Sequence, residues 1–165
     1  VSIECVEPVT ISGPVGARAE IDIAAGQRVV WSVLADIDAW ATWNPAVREA
    51  SLGEELEVGA RFRYATALGR MRCRLVAIDA PSRLAWSTRV LTMGHQQVFE
   101  LEGSGDACHV TAEGTFSGPA AWLFKSRLDE RLHADLDATL QLLRLEAETR
   151  AAEELEDEAQ GVDHE

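Results

Sequence analysis

The chain has 165 residues, of which 47% are hydrophobic and 26% are charged, and its formal net charge is −13. This length and composition are typical of one globular domain with a single core. The negative charge argues against nucleic-acid binding, which needs a basic surface. The sequence has no run of about 18 apolar residues, so no membrane-spanning helix is predicted.

The N-terminal residues and the cysteines indicate a compartment. Residues 1–10 carry acidic charge where an export signal carries basic and apolar residues, so we expect a cytoplasmic protein. Cys5, Cys73 and Cys108 are an odd number with no CxxC pair, which argues against a disulfide framework and a zinc ribbon. We therefore expect buried free thiols, and we predict neither a bound metal nor a cofactor.

The first third of the chain predicts a strand followed by two short helices. Residues 1–16 contain two prolines and two glycines and read as an irregular lead-in, with a short strand before Pro8. Apolar and polar residues then alternate over 17–23, which predicts a half-buried strand. A helix of about ten residues is predicted from Gln27. In the next stretch, DIDAWATWNPAV, we expect a short turn to place both tryptophans against the core and Pro45 to begin the next strand.

From Ala60 onward the sequence predicts consecutive antiparallel strands joined by short turns. Alternation places one set of side chains on a common face: Phe62, Tyr64, Met71, Cys73, Leu75, Leu84, Trp86, Thr88, Val90, His95, Gln97, Phe99, Leu101, Cys108, Val110, Ala112, Gly114 and Phe116. The opposite face carries five arginines: Arg61, Arg63, Arg70, Arg72 and Arg74. We expect Glu100, Glu102 and Glu113 to pair with some of these arginines, giving a solvated charged surface rather than a nucleic-acid site.

The C-terminal part predicts a long helix and an acidic tail. Ser117-Gly118-Pro119 is typical of a helix start, and the helical pattern continues to about Ala147, roughly 29 residues or about 43 Å. Its apolar arc is centred on Leu132 and must pack against the sheet. Residues 146–165 hold nine acids and one arginine, so their net charge is 1 − 9 = −8. Residues 149–165 are predicted to be a disordered, solvated tail.

This order of elements resembles the START-like, or helix-grip (SRPBCC), superfamily. The nearest group is the polyketide cyclase/dehydrase and lipid-transport family, in which an Asp-x-x-x-Trp-x-x-Trp stretch follows the first helix. Asp36, Trp40 and Trp43 occupy those positions here. The resemblance covers residues 17–148 and leaves 1–16 and 149–165 outside. It implies an α+β helix-grip fold, in which a curved antiparallel sheet of about six to seven strands surrounds a long C-terminal helix.

The resemblance also implies an apolar cavity between the long helix and the concave sheet. Our leading hypothesis is that a small hydrophobic molecule, such as a lipid, polyketide or aromatic compound, binds there. The alternative for any one of these side chains is ordinary core packing. The predicted lining residues are Tyr64, Met71, Cys73, Trp86, His95, Gln97, Phe99, Phe124, Lys125, Leu128 and Leu132.

Two other functions remain open at this point. A cyclase or dehydratase would use His95 and Tyr64 as proton-transfer groups, because imidazole titrates near neutral pH. A protein-interaction module would have a filled interior and no cavity. Lys125, the only lysine, would either anchor an acidic ligand, cover apolar surface with its stem, or pair with Asp129. The sequence is compatible with both a monomer and a homodimer.

Overall fold

The computed structural model describes residues 13–67, 69–90 and 92–161, so Cys5 and the predicted strand before Pro8 lie outside the described residues. One antiparallel sheet has the spatial order β1-β7-β6-β5-β4-β3-β2. Its strands are β1 (Val15–Ile23), β2 (Glu49–Ser51), β3 (Arg61–Thr66), β4 (Gly69–Asp79), β5 (Arg83–Val90), β6 (Met93–Ser104) and β7 (Ala107–Ser117). The helices are α1 (Gln27–Ala35), α2 (Trp40–Trp43), α3 (Pro119–Leu123) and α4 (Lys125–Gly161). This architecture confirms the predicted α+β helix-grip fold.

Small side chains on β1 and β7 determine where the long helix lies. Ala17 pairs with Gly114 and Ala19 with Ala112, all on the concave face. A Cβ atom added to Gly114 would lie 2.9 Å from Leu132 Cδ1, so the missing side chain allows α4 to approach the sheet closely. The helix therefore packs over β1 and β7. The concave surfaces of β3, β4 and β5 lie farther from it.

The stretch between α1 and β2 packs both tryptophans into the core, as predicted. Trp40 and Trp43 are only 6% and 9% exposed. Trp40 Nε1 donates a hydrogen bond to the Leu34 carbonyl oxygen at 2.9 Å. The strand start predicted at Pro45 is wrong, because β2 begins at Glu49. Asn44 forms a turn there, in which its carbonyl oxygen accepts from the Val47 N–H and its Oδ1 accepts from the Ala46 N–H.

The C-terminal helix is interrupted where the sequence predicts one continuous helix from Pro119. The first segment, α3, ends at Leu123, and α4 begins at Lys125 after a turn at Phe124. Gly118, with φ of 98°, holds the start of α3 against the backbone of Thr92. The direction of α3 is thereby fixed by the β5–β6 connection rather than by α4.

At its other end, α4 continues to Gly161, so the helix extends through residues for which a disordered tail is predicted. Alanine, glutamate and leucine favour helix, and no proline or glycine precedes Gly161 in this stretch. Arg150 and Glu146 add an ion pair of 2.8 Å one turn apart. The division of the chain at residues 16 and 148 stays a prediction. Within the described ranges no helix is both long and apolar enough to cross a membrane.

Candidate functional site

The concave face of the sheet carries the predicted ligand-binding side chains of the strands. The strand register aligns Cys73, Thr88 and His95 across β4, β5 and β6. The neighbouring row places Trp86 beside Gln97. Tyr64 lies opposite Met71 on β3 and β4. The alternation in the sequence therefore predicts correctly which side chains share the interior.

The centre of this interior is an aromatic cluster around Trp86. Ring centroids lie 5.2 Å from Trp40, 5.9 Å from Phe62 and 5.6 Å from Phe99. Trp86 is 4% exposed and Phe99 is 1% exposed, so these two predicted lining residues are packed in the core. The Trp86 indole N–H is buried and has no hydrogen-bond partner among the described residues. An unpaired buried donor costs about 1–3 kcal/mol.

Contacts on the concave face of the sheet hold the His95 ring in one orientation. Its Nδ1 lies 3.0 Å from the Thr115 carbonyl oxygen, and its ring stacks on Phe116 at 4.5 Å. Burial lowers the pKa of His95, although the hydrogen bond to the Thr115 carbonyl opposes this shift. In the neutral ring the proton is on Nδ1, which donates to Thr115. The Gln97 side-chain amide lies 3.3 Å from Nε2. We assign its orientation so that the NH₂ group donates to that nitrogen.

Tyr64 is a half-buried neutral phenol on a distant strand. Desolvation raises its pKa above the ordinary value, and electrostatic interactions with Cys73 and Asp135 raise it further. Strands β4 and β5 lie between Tyr64 and His95. Three strand spacings correspond to about 14 Å. The strand order thus separates the backbones of these two residues by three strand spacings.

The β3–β4 and β5–β6 connections and α3 lie at one end of the sheet, where the inward-facing apolar side chains are less completely buried than elsewhere. We call this end of the interior the apolar mouth. Its inward-facing side chains are half-buried, namely Tyr64, Met71, Met93, Phe116 and Leu128. At its rim, Trp122, Leu123 and Phe124 are 68%, 77% and 52% exposed. The half-buried side chains pack against the core cluster and are partly exposed to solvent.

The predicted lining residues of the C-terminal helical segments differ in burial and in their distance from the mouth. Leu132 is buried and Leu128 is half-buried one turn nearer the opening. Phe124 and Lys125 are both exposed at the break between α3 and α4. The expected ion pair between Lys125 and Asp129 is not formed among the described residues. Sequence reasoning did not assign Met93, Phe116 or Trp122 to the site.

The cysteines within the described residues are buried free thiols, as predicted. Burial raises the pKa of Cys73 to about 12, although a hydrogen bond with Thr88 opposes the shift. Burial also raises the pKa of Cys108. Neither thiol is therefore a nucleophile near neutral pH. In the part of the chain that the structure describes, no three His, Cys, Asp or Glu side chains are placed to hold a metal ion.

The chain was compared with known families and structures. The family model described as "Polyketide cyclase / dehydrase and lipid transport" matches residues 14–148. This match begins three residues before the predicted boundary and ends at the predicted residue. A comparison with curated proteins finds no match.

Several solved structures have a similar fold. The Zhui aromatase/cyclase from Streptomyces sp. R1128 has a TM-score of 0.69 and 16% identity, with 82% of this chain and 94% of that chain covered. A START superfamily protein from Mycobacterium smegmatis has a TM-score of 0.61 and 15% identity, with 84% and 97% covered. The protein TTHA0849 from Thermus thermophilus has a TM-score of 0.69 and 13% identity, with 82% and 99% covered. Likeness at these identities establishes the fold.

Proposed function

Because the chain belongs to the polyketide cyclase/dehydrase and lipid transport family, we propose that it binds a small, largely apolar molecule at the apolar mouth, between α4 and the concave face of β3–β6. The observation that carries this proposal is the half-buried state of Tyr64, Met71, Met93, Phe116 and Leu128, all of which face the interior. In a fully packed core such side chains are buried. Here they form an apolar wall that a ligand would cover.

The polar groups behind this wall indicate the ligand's chemistry. The Tyr64 hydroxyl and the Trp86 N–H are neutral donors, and the latter has no partner within the described part of the chain. A neutral His95 with its Gln97 partner adds no charge. These groups suit a mostly apolar ligand with one or two hydrogen-bond acceptors. Covering about 300 Å² at about 25 cal/mol per Å² gives roughly 7 kcal/mol before association costs.

A cyclase- or dehydratase-type reaction is the second candidate. It is favoured by the neutral imidazole of His95 inside the grip, since a neutral ring can accept a proton. Because Tyr64 lies three strands away from His95, this candidate assigns proton transfer to His95 alone. In this version His95 is the single proton-transfer group, and His95→Gln should abolish turnover while leaving ligand affinity within about threefold.

Two variants of α4 test the binding proposal. Leu128 is half-buried at the mouth, whereas Leu145 on the same helix is 65% exposed. Leu128→Arg places a charge against the apolar wall, and Leu145→Arg is the matched control. The probe is cis-parinaric acid, a fluorescent fatty acid, titrated into each protein. We expect Leu128→Arg to weaken binding by at least about tenfold, which corresponds to 1.4 kcal/mol, and Leu145→Arg to bind like the wild type.

Native mass spectrometry of freshly purified protein complements this titration, because it detects a ligand retained from the cell. A co-purified apolar molecule that is lost in Leu128→Arg supports the proposal. Equal probe affinity in wild type and Leu128→Arg, with both proteins folded by circular dichroism, would refute a site at the mouth. Absence of any probe binding together with a clean apo mass would favour a protein-interaction module instead.

A further inference from the structure

The outer, convex face of the sheet contains a second feature that the interior site does not use. Five arginines of β3, β4 and β5 line one groove there, and we call it the arginine groove: Arg61, Arg63, Arg72, Arg74 and Arg89. The groove encloses about 860 Å³. This volume is within the range of small-molecule sites, about 300–1,000 Å³. Hydroxyl groups of Ser51 and Ser87 and the amide of Gln96 lie along the same groove.

The register of β3 and β4 brings like charges directly opposite each other. Arg61 pairs with Arg74, and Arg63 pairs with Arg72. Side chains at such positions have Cβ atoms about 4.5–5.5 Å apart, and like charges there are destabilising. The arginines within each of these two adjacent pairs repel each other unless an anion lies between them.

Four arginines outside the groove form ion pairs with carboxylates, namely Arg18, Arg83, Arg131 and Arg150. Arg18 lies 3.0 Å from Glu113 and Arg83 lies 3.6 Å from Glu100, both on this same outer face. These contacts correct the expectation that Glu100 and Glu113 neutralise the arginines of β3 and β4. Among the described residues, none of the five groove arginines forms an ion pair. Glu54, which follows β2, accepts a hydrogen bond from the backbone N–H of Arg61.

The charges of the outer face limit the size of the anion. Strands β1, β6 and β7 place acids on that face beside the groove: Glu20, Asp22, Glu100, Glu102 and Glu113. A long polyanion such as a nucleic acid would extend from the arginines onto this acidic half. Among the described residues that line the groove, the five arginines are the charged side chains. The rings of Phe62 and His95 belong to the opposite face of the sheet, so no described lining residue presents an aromatic ring for stacking a base. A compact anion avoids both problems.

We propose that the arginine groove is a binding site for a compact polyanion carrying two or more linked phosphate groups. Guanidinium groups bind phosphate oxygens through paired, charge-assisted hydrogen bonds, and two facing arginine pairs provide for more than one phosphate. The site lies on the opposite face of the sheet from the apolar mouth. The proposal of an anion site in the arginine groove therefore does not depend on the proposed interior ligand.

Isothermal titration calorimetry with inorganic tripolyphosphate tests the site on the full-length chain at low ionic strength. The test variant is Arg63→Gln/Arg72→Gln, which removes one facing pair. The control is Arg18→Gln, which removes an arginine of the same face that is already paired with Glu113. We expect the double variant to lose affinity by about a hundredfold or more and the control to bind like the wild type.

Thermal unfolding gives a second readout that separates binding from folding. Tripolyphosphate should raise the melting temperature of the wild type and of Arg18→Gln, but not that of the double variant. Without ligand the double variant should melt no lower than the wild type, because its like-charge contacts are gone. The proposal is overturned by absent wild-type binding, by equal loss in the control, by orthophosphate binding as tightly as tripolyphosphate, or by a DNA duplex binding more tightly than tripolyphosphate.

Discussion

The unpaired indole of Trp86 gives a prediction that compares two tryptophans in one cluster. Trp86 and Trp40 are 4% and 6% exposed, and their rings lie 5.2 Å apart. Replacing either one with Phe removes the same atoms from the same core. The two differ in hydrogen bonding, because Trp40 Nε1 donates to the Leu34 carbonyl oxygen at 2.9 Å. The corresponding N–H of Trp86 is buried without a partner within the described ranges.

This difference in hydrogen bonding determines how far the two variants differ in their free energy of unfolding. The loss of buried ring area is nearly the same in both variants and cancels when they are compared. Trp40→Phe leaves the carbonyl of Leu34 without this donor, at a cost of about 1–3 kcal/mol. Trp86→Phe removes an unpaired donor and regains about 1–3 kcal/mol. Trp40→Phe should therefore lower the free energy of unfolding by about 2–6 kcal/mol more than Trp86→Phe does.

Urea unfolding followed by far-ultraviolet circular dichroism measures both variants, with the free energy obtained by linear extrapolation. The slope m must agree between variants for the comparison to hold. Equal destabilisation by the two changes would refute the reasoning, since it would mean that the Trp86 N–H is satisfied in the folded protein. Greater destabilisation by Trp86→Phe would refute it more strongly.

Two further predictions concern the helix contact and an exposed histidine. Gly114→Ala brings a Cβ to 2.9 Å from Leu132 Cδ1 and should lower the free energy of unfolding by about 1–3 kcal/mol, measured by urea unfolding. Gly16→Ala is its control, because the nearest atom to the new Cβ is 3.8 Å away. A hydrogen bond from His109 to Asp22, at 2.7 Å, raises the pKa of His109 above 6.5. Its small contribution to stability is fully present below pH 6.5 and is lost as the pH rises through the raised pKa. Asp22→Asn should lower that pKa in an NMR titration, and an unchanged value would contradict the assigned cause.

Periodicity in the sequence was sufficient to predict the faces of the sheet. Alternation with a period of two groups the side chains within each strand, and the apolar set of each strand faces the core, so the interior side chains of the strands were predicted correctly. The Trp40 and Trp43 corner was likewise predicted, because Pro45 excludes a continuous helix. These properties depend on local order along the chain.

Other properties depend on which strands become neighbours, and the sequence did not reveal them. Register places Glu113 opposite Arg18 and Glu100 opposite Arg83, so the acids expected to neutralise the arginines of β3 and β4 are already engaged. The break at Phe124, where φ is −108° and ψ is 20°, also went unpredicted. One local signal was available, since residues 120–124, AAWLF, are apolar on every side of a helix.

An unpaired buried donor does not by itself indicate a ligand site, and Trp43 shows why. Its indole N–H is also buried without a partner among the described residues. Trp43 makes no ring contact with the aromatic cluster, however, and belongs to the corner that joins α2 to β2. Trp86 instead lies beside Gln97 on the concave face, one row from His95. Position on that face, next to groups that already form a polar pair, distinguishes Trp86 from Trp43, although a ligand would have to displace the side chains that bury the Trp86 N–H to reach it. Trp86→Phe should therefore weaken binding of cis-parinaric acid by about tenfold or less, whereas Trp43→Phe should leave it unchanged.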